Sequence, residues 1–170
     1  AYLQSRNISF EGIYASGFNY KAFTYIKGKA KEATKELAIE RGEAPDIHGS
    51  GKRNANLLAI APNASSGIIC SGTSPSIEPY RANCYTHKTL SGSFNVRNRY
   101  LEEILENHGK NDEETWSTIT TNQGSISHLD FLTDLEKDVF KTAFELNQNW
   151  IIELSGDRTP FISQAQSVNL

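Results

Sequence analysis

Residues 56–79, NLLAIAPNASSGIICSGTSPSIEP, are the stretch on which the fold reading turns. Five apolar or small residues, Leu57, Leu58, Ala59, Ile60 and Ala61, run up to Pro62, which stops them. Behind the proline stand Asn63, Ala64, Ser65, Ser66 and Gly67, all small or hydroxylated. A second apolar triplet, Ile68, Ile69 and Cys70, leads into a polar, glycine-containing segment that ends in Ile77, Glu78 and Pro79. The pattern predicts a buried strand that delivers a tight, small-residue loop to a pocket. Small side chains let a ligand come close to the backbone, and consecutive N–H groups in such a loop form an anion-binding concavity. Ser65 and Ser66 add hydroxyl donors. The common GxxxxGK[ST] phosphate loop is excluded, because the motif does not match. The plainer alternative is a strand-to-helix turn with a serine as its cap.

The polypeptide around this stretch is one domain or part of one, with 170 residues, a net charge of −3 and a pI near 5.8. The 17 Lys and Arg are spread along the sequence, so general attraction to nucleic acid is not expected. No apolar run reaches the length of a membrane span, and no signal peptide is visible. Cys70 and Cys84 have no metal-ligand spacing. A disulfide between them stays open, but a reducing setting with both as small buried apolar residues is the expectation. The sequence has no methionine, starts at Ala1 and stops at Leu170 without a tail. Both ends read as cut, which predicts a segment of a longer protein. A gene break, or an intervening element removed by splicing, would leave such a piece.

Upstream, residues 1–18 read as a helix end and an irregular connection. Asn19 is placed to cap a helix over residues 20–41, with Phe23, Ile26, Ala30, Ala33 and Leu37 on one buried face and Lys21, Lys27, Lys31 and Lys35 largely off it. Gly42 ends it, and residues 42–54 form a polar loop in which His48 is plain surface. Downstream, residues 85–90 read as a short strand, residues 91–93 as a turn, and Val96, Tyr100, Leu101, Ile104 and Leu105 as a helix of about three turns. Asn111 with Glu114, and Thr133 with Glu136, have capping-box spacing. Trp116 and Ile119 point inward from the first of these helices. A longer helical period runs from Leu135 to Leu154, broken near Asn147 and ended by Gly156. Trp116, Phe140, Phe144 and Trp150 are expected in the core rather than stacked on bases. Residues 168–170 look like the start of a strand. Strands this far apart suit an α/β architecture with helical crossovers.

Four motifs in this order carry a family resemblance: RNANLLAIAPNASSGIICSGTSPSIEPY (53–80), NCYTHKTLSGSFNVRNRYLEEIL (83–105), QGSISHL (123–129) and DRTPFISQAQSVNL (157–170). Together they resemble the large, catalytic subunit of class I ribonucleotide reductases. The AYLQS start and the RGEAPDIHGSGKRN loop resemble the form carried by tailed bacteriophages. The resemblance covers essentially the whole sequence. It implies that residues 1–170 are part of the C-terminal half of a ten-stranded α/β barrel. The implied activity is reduction of ribonucleoside diphosphates to deoxyribonucleotides for DNA synthesis, in the cytoplasm of a bacterium or a phage-infected host. The substrate diphosphate would bind Asn63, Ala64, Ser65 and Ser66.

No catalytic residue and no metal ligand is implied within the sequence. The family's reaction starts from a cysteine thiyl radical on a loop with an Asn-x-Cys-x-Glu pattern. That pattern does not occur here, and Cys70 and Cys84 match none of the catalytic cysteines. The family's radical-relay tyrosines and C-terminal cysteine pair belong downstream, and its nucleotide-sensing region upstream. The implied partners are the rest of the large subunit and a radical-generating, metal-containing small subunit, with a thiol as reductant; neither a membrane nor nucleic acid is implied. Ala165 departs from the family, which usually has Ser there. The alternative is a non-enzymatic phosphate-binding or assembly module that reuses the same fold.

Overall fold

A computed structural model describes residues 1–70, 74 and 77–169. Segment 71–76, the polar part of the opening stretch, therefore lies outside the described residues except for Ser74, as does Leu170 of the expected closing strand. The molecule divides into two compact units. One comprises Ala1–Ala15 and Asn63–Trp150, the other Ser16–Pro62 and Ile151–Leu170.

The first unit begins with α1 (Tyr2–Ser5) and resumes at α3 (Ala64–Ile69). An antiparallel hairpin follows, β1 (Cys84–Thr89) against β2 (Gly92–Arg97), in register Cys84 to Arg97 and Thr89 to Gly92. Only Leu90 and Ser91 lie between the strands, and Gly92 takes φ +137°, a conformation open to glycine. The sequence predicted a turn at 91–93 and a helix including Val96. Instead Val96 pairs with Tyr85 in β2, and the helix α4 (Arg99–Asn107) starts after Asn98. Phe94 and Val96 alternate with Ser93, Asn95 and Arg97 in this strand, a two-residue period that the helical reading of Val96 passed over, and its first four residues are exposed.

α4, α5 (Glu113–Thr121) and α6 (Asp134–Val139) wrap one core. Leu101 and Leu105 from α4, Trp116 and Ile119 from α5, Ile126, Leu129 and Leu132 from the connection, and Val139 and Phe140 from the end of α6 are buried together with Cys84. Each large apolar side chain taken fully out of water contributes about 1.5–3 kcal/mol. Phe144 is not in this core; it is 76 % exposed, with Arg81 5.7 Å from its ring. Trp116 is also covered by Arg97, 5.0 Å above its ring, whose guanidinium holds both oxygens of Glu113 at 2.7 and 2.8 Å.

Caps fix the helix starts. Thr133 and Glu136 form the expected capping box of α6. Burial works to raise the Glu136 pKa, but the hydrogen bonds from His108 and Thr133 lower it overall. The α5 cap is Asp112, which accepts from Thr115 N–H at 2.7 Å, not Asn111. Asn111 is used elsewhere, accepting from Trp116 Nε1 at 2.8 Å. The period expected from Leu135 to Leu154 is interrupted between α6 and α7 (Asn149–Arg158). Gly156 lies inside α7, which continues to Arg158 and passes into a 3₁₀ turn containing Pro160.

The organising contact of this unit is Asn83, which is 1 % exposed. Its Nδ2 donates to the carbonyls of Gly124 at 3.0 Å and Phe140 at 2.7 Å. Its Oδ1 accepts from Asn98 Nδ2 at 2.9 Å. Asn98 in turn caps α4 through Tyr100 N–H and donates to Gln4 Oε1 at 3.0 Å. One amide thus joins β1, the Gly124 turn, the end of α6, the start of α4 and, through Asn98, α1. Gly124 has φ +82°, and a Cβ there would stand 2.4 Å from Ala82 Cβ.

The second unit contains all but the first three residues of α2 (Ile13–Arg41), a single 29-residue helix. It starts before the expected residue 20, so Asn19 is an interior residue rather than a cap. Asn19 is buried and donates to Leu154 O at 2.9 Å. The buried line on α2 also includes Thr34 and Ala38, whereas Ile26 and Ala33 are exposed. Lys27 is half-buried and donates to Pro160 O at 2.6 Å. Polar residues that anchor loops therefore hold places that hydrophobicity alone assigned elsewhere.

Residues 42–54 contain a 3₁₀ turn, Pro45–Ile47, and fold around the Glu43 carboxylate. Glu43 accepts from the N–H groups of Gly49 and Gly51 and stands 3.0 Å from His48 Nδ1. His48 is exposed as expected, but it has this partner. Its hydrogen bond is the main cause holding the Glu43 pKa below the ordinary value. Thr34 Oγ1 accepts from Asn54 N–H at 2.8 Å and returns the loop to α2.

Removing the Asn83 amide leaves buried donors and acceptors unpaired, each at about 1–3 kcal/mol. Asn83→Ala and Gly124→Ala are each expected to lower unfolding free energy by about 2–4 kcal/mol in urea denaturation. A change under about 0.5 kcal/mol in both would contradict the role given to this contact.

Candidate functional site: the loop after Pro62

The residues before the loop are extended and paired in parallel with the end of the second unit. Ile60 N–H donates to Ala165 O at 3.0 Å, and Ser167 N–H to Ile60 O at 2.9 Å. Ile60 and Gln166 form a single parallel bridge rather than a full strand ladder. The expectation of a buried strand is corrected in two respects. The pairing is short, and Ala59 and Ala61 are exposed while Leu57, Leu58 and Ile60 are half-buried. Leu58 O is shared by the N–H groups of Ser163 and Gln164, so the partner segment bends as it enters the pairing. The departure at Ala165 has no effect on the ladder, because its backbone carbonyl makes the bond and its side chain is exposed.

In the first unit, Asn63 stands at the cap position of α3 with φ −123° and ψ 42°. Its carbonyl accepts from Gly67 N–H at 2.7 Å, which closes the first turn. Its side chain makes no capping hydrogen bond. Ala64, Ser65 and Ser66 are then the first three helical residues, and the first N–H groups of a helix have no partner inside it. Asn63, Ser65 and Ser66 are exposed. The alternative of a serine cap is therefore excluded: the cap position belongs to Asn63, and both serines lie inside the helix. The short helix brings together one uncapped turn of backbone donors and two hydroxyls. Among the described residues no side chain caps that turn, so the set can accept an anion without displacing one.

Ile69, read as part of an apolar triplet, is 83 % exposed near the end of α3. Cys70 is exposed and Cys84 buried, and both are free thiols. The paired-burial expectation thus holds for Cys84 alone, whose Sγ accepts from Thr120 Oγ1 at 3.3 Å. Near the α4–α5 corner lies a surface depression of about 220 Å³ lined by Glu106, Gly109, Asn111 and Asp112. Its two carboxylates disfavour a phosphate, so it does not compete with the loop as an anion site. Among the described residues no group of three or more His, Cys, Asp or Glu stands ready to hold a metal, and no helix is long and apolar enough to cross a membrane.

Three polar residues escaped the sequence reading. Asn83 was read only as the first residue of a family motif. Gln166 was read only as part of a family motif. Arg158 carried a usable signal: it follows Ile151 and Leu154 at helical spacing, so it falls on the buried face of α7.

The family model for the barrel domain of ribonucleotide reductase matches residues 44–170. The chain belongs to the ribonucleotide reductase family. The chain is 45 % identical to a ribonucleoside-diphosphate reductase large subunit of Invertebrate iridescent virus 6, over 100 % of its own length and 18 % of that protein. It is 45 % identical to a putative large subunit of Frog virus 3 (isolate Goorha), over 99 % of its length and 30 % of the relative. Its structure matches the Actinobacillus ureae class Id ribonucleotide reductase alpha subunit with a TM-score of 0.91 at 38 % identity, covering 99 % of this chain and 31 % of that one. The expected family and the α/β barrel class both hold. The chain spans less than a third of each of these three relatives.

The two thiols give a direct check of the site's local structure. Under native conditions a maleimide is expected to add once per chain, at Cys70, and twice only after unfolding. Two rapid native additions read by mass spectrometry would contradict the burial of Cys84.

Proposed function

We propose that this chain is part of the C-terminal half of the barrel domain of a reductase large subunit, and that Asn63, Ala64, Ser65 and Ser66 bind the diphosphate of a ribonucleotide substrate. The observation that carries this reading is the uncapped first turn of α3. Its backbone donors are left open by Asn63, and the hydroxyls of Ser65 and Ser66 are exposed beside them. A diphosphate needs several donors at once, and charge-assisted hydrogen bonds are the strong ones. The positive end of even a short helix favours the same ligand.

In this reading the complete protein reduces ribonucleoside diphosphates to deoxyribonucleotides. The large subunit's thiyl-bearing loop, a metal-containing small subunit that generates the radical, and a thiol reductant supply the redox chemistry. This chain contributes binding and orientation at the phosphate end of the substrate. The chain by itself does not turn over substrate, because it lacks a cysteine in the radical-loop pattern. The tailed-phage form and a cytoplasmic setting belong to the same proposal; the phage-like motifs at residues 1–5 and 41–54 support the former.

The test is made in the complete large subunit. Each hydroxyl bonded to a charged phosphate oxygen contributes about 1.5–3 kcal/mol. Ser65→Ala and Ser66→Ala are each expected to raise the Michaelis constant for a nucleoside diphosphate about tenfold or more. A double variant with an unchanged constant would remove the hydroxyls from the site.

A further inference from the structure

Arg158 closes α7 and is 5 % exposed, yet among the described residues no carboxylate lies within ion-pair distance of it. Its partners are neutral. Nε donates to Gln166 Oε1 at 3.1 Å, and one Nη donates to Asn19 Oδ1 at 3.3 Å. The Phe23 ring lies 5.8 Å from the guanidinium carbon. Burial, partly offset by Asp157, lowers the guanidinium pKa to about 10, still well above neutrality. A buried charge whose hydrogen-bond partners among the described residues are amides is an expensive device for packing two helices, since an apolar side chain of the same volume would fill the space without the desolvation cost.

The bonds around it show what the charge secures. Arginine only donates, so both amides must turn their oxygens toward it. That leaves Asn19 Nδ2 facing Leu154 O at 2.9 Å, and Gln166 Nε2 facing Ser155 O at 3.0 Å and Thr159 Oγ1 at 3.1 Å. Every polar atom of the Gln166 side chain is thus directed. The backbone of the same Gln166 bridges Ile60, and the flanking bonds run from Ile60 to Ala165 and from Ser167 to Ile60. A slip of one residue in a paired strand turns each side chain to the opposite face. Gln166 cannot make that slip without losing all three of its directed hydrogen bonds. An apolar contact at position 158 would tolerate it, because dispersion has no direction.

We propose that Arg158 is a positioning residue: through Gln166 it locks the register of the extended pair whose Ile60 stands three residues before Asn63. A loop that grips phosphate by backbone N–H groups depends on where its incoming backbone is pinned. The lock would thereby set the affinity of the Asn63–Ser66 donors for a nucleoside diphosphate. The link to substrate rests on the diphosphate reading above; the lock does not.

The test uses Arg158→Met in the complete large subunit, with two readouts. Hydrogen exchange at the Ile60 and Ser167 amides is expected to speed up at least tenfold, while amides in the middle of α2 keep their protection. The Michaelis constant for a nucleoside diphosphate is expected to rise about tenfold, with kcat changed less. Arg158→Lys restores charge without the planar fork and is expected to behave like the methionine variant. Should Arg158→Met fail to fold, Gln166→Leu removes the side-chain amide, its acceptor and its donors together, and carries the same expectations. Unchanged exchange at Ile60 and Ser167, or full rescue by lysine, overturns the lock. Faster exchange with an unchanged Michaelis constant overturns the positioning role. If Ser65→Ala with Ser66→Ala is also silent, the diphosphate reading has failed rather than the lock.

Discussion

The buried amide of Asn83 is the constraint on which the first unit depends. Helices, hairpin and connections there are short, and none is long enough to be stable from its own hydrogen bonds. Their apolar faces supply the driving force, but apolar contact does not fix orientation. Asn83 does, because its donors and acceptor have single partners on different segments: Gly124, Phe140 and Asn98. Fully satisfied, such a network specifies one arrangement of the core around Trp116 and Phe140. Left half-paired, it would cost more than an apolar residue in the same place. Gly124 belongs to the same constraint, since its carbonyl receives Asn83 and its missing side chain leaves room for Ala82.

The second unit repeats the principle with a different residue. Arg158 arranges Asn19 and Gln166 as Asn83 arranges its neighbours, and the extended pair at Ile60 depends on the result. In both units the long-range order is set by buried polar groups on elements whose apolar surface alone would permit several packings. The candidate site begins three residues after Ile60, at the first turn of a helix too short to hold itself in place.

The sequence was most readable where local chemistry decides the structure. The Thr133–Glu136 capping box, the inward Trp116 and Ile119, the strand from residue 85 and the end of α2 before Gly42 all follow from neighbours close in the chain. It was least readable where a distant partner decides. Asn19 reads as a cap in isolation, but Leu154 is not its neighbour in sequence; only the fold brings the carbonyl of residue 154 to it. β2 is mostly exposed and is held by its pairing with β1. Asn111 and Asp112 are adjacent candidates for one cap, and the indole of Trp116 takes the first. At the site, the small-residue loop after Pro62 was legible, and its helix only through the plainer alternative of a strand-to-helix turn. The choice of Asn63 rather than a serine as the cap was not, because Asn, Ser and Thr are near-equal caps and tertiary geometry selects among them.

Phosphate recognition at Asn63, Ala64, Ser65 and Ser66 is the central claim, and its most direct measurement is a crystal structure of the complete large subunit with a nucleoside diphosphate bound. The account predicts phosphate oxygens about 2.7–3.1 Å from the backbone nitrogens of the first turn of α3 and from the hydroxyls of Ser65 and Ser66. A diphosphate held by other segments, with that turn left to solvent, would contradict it.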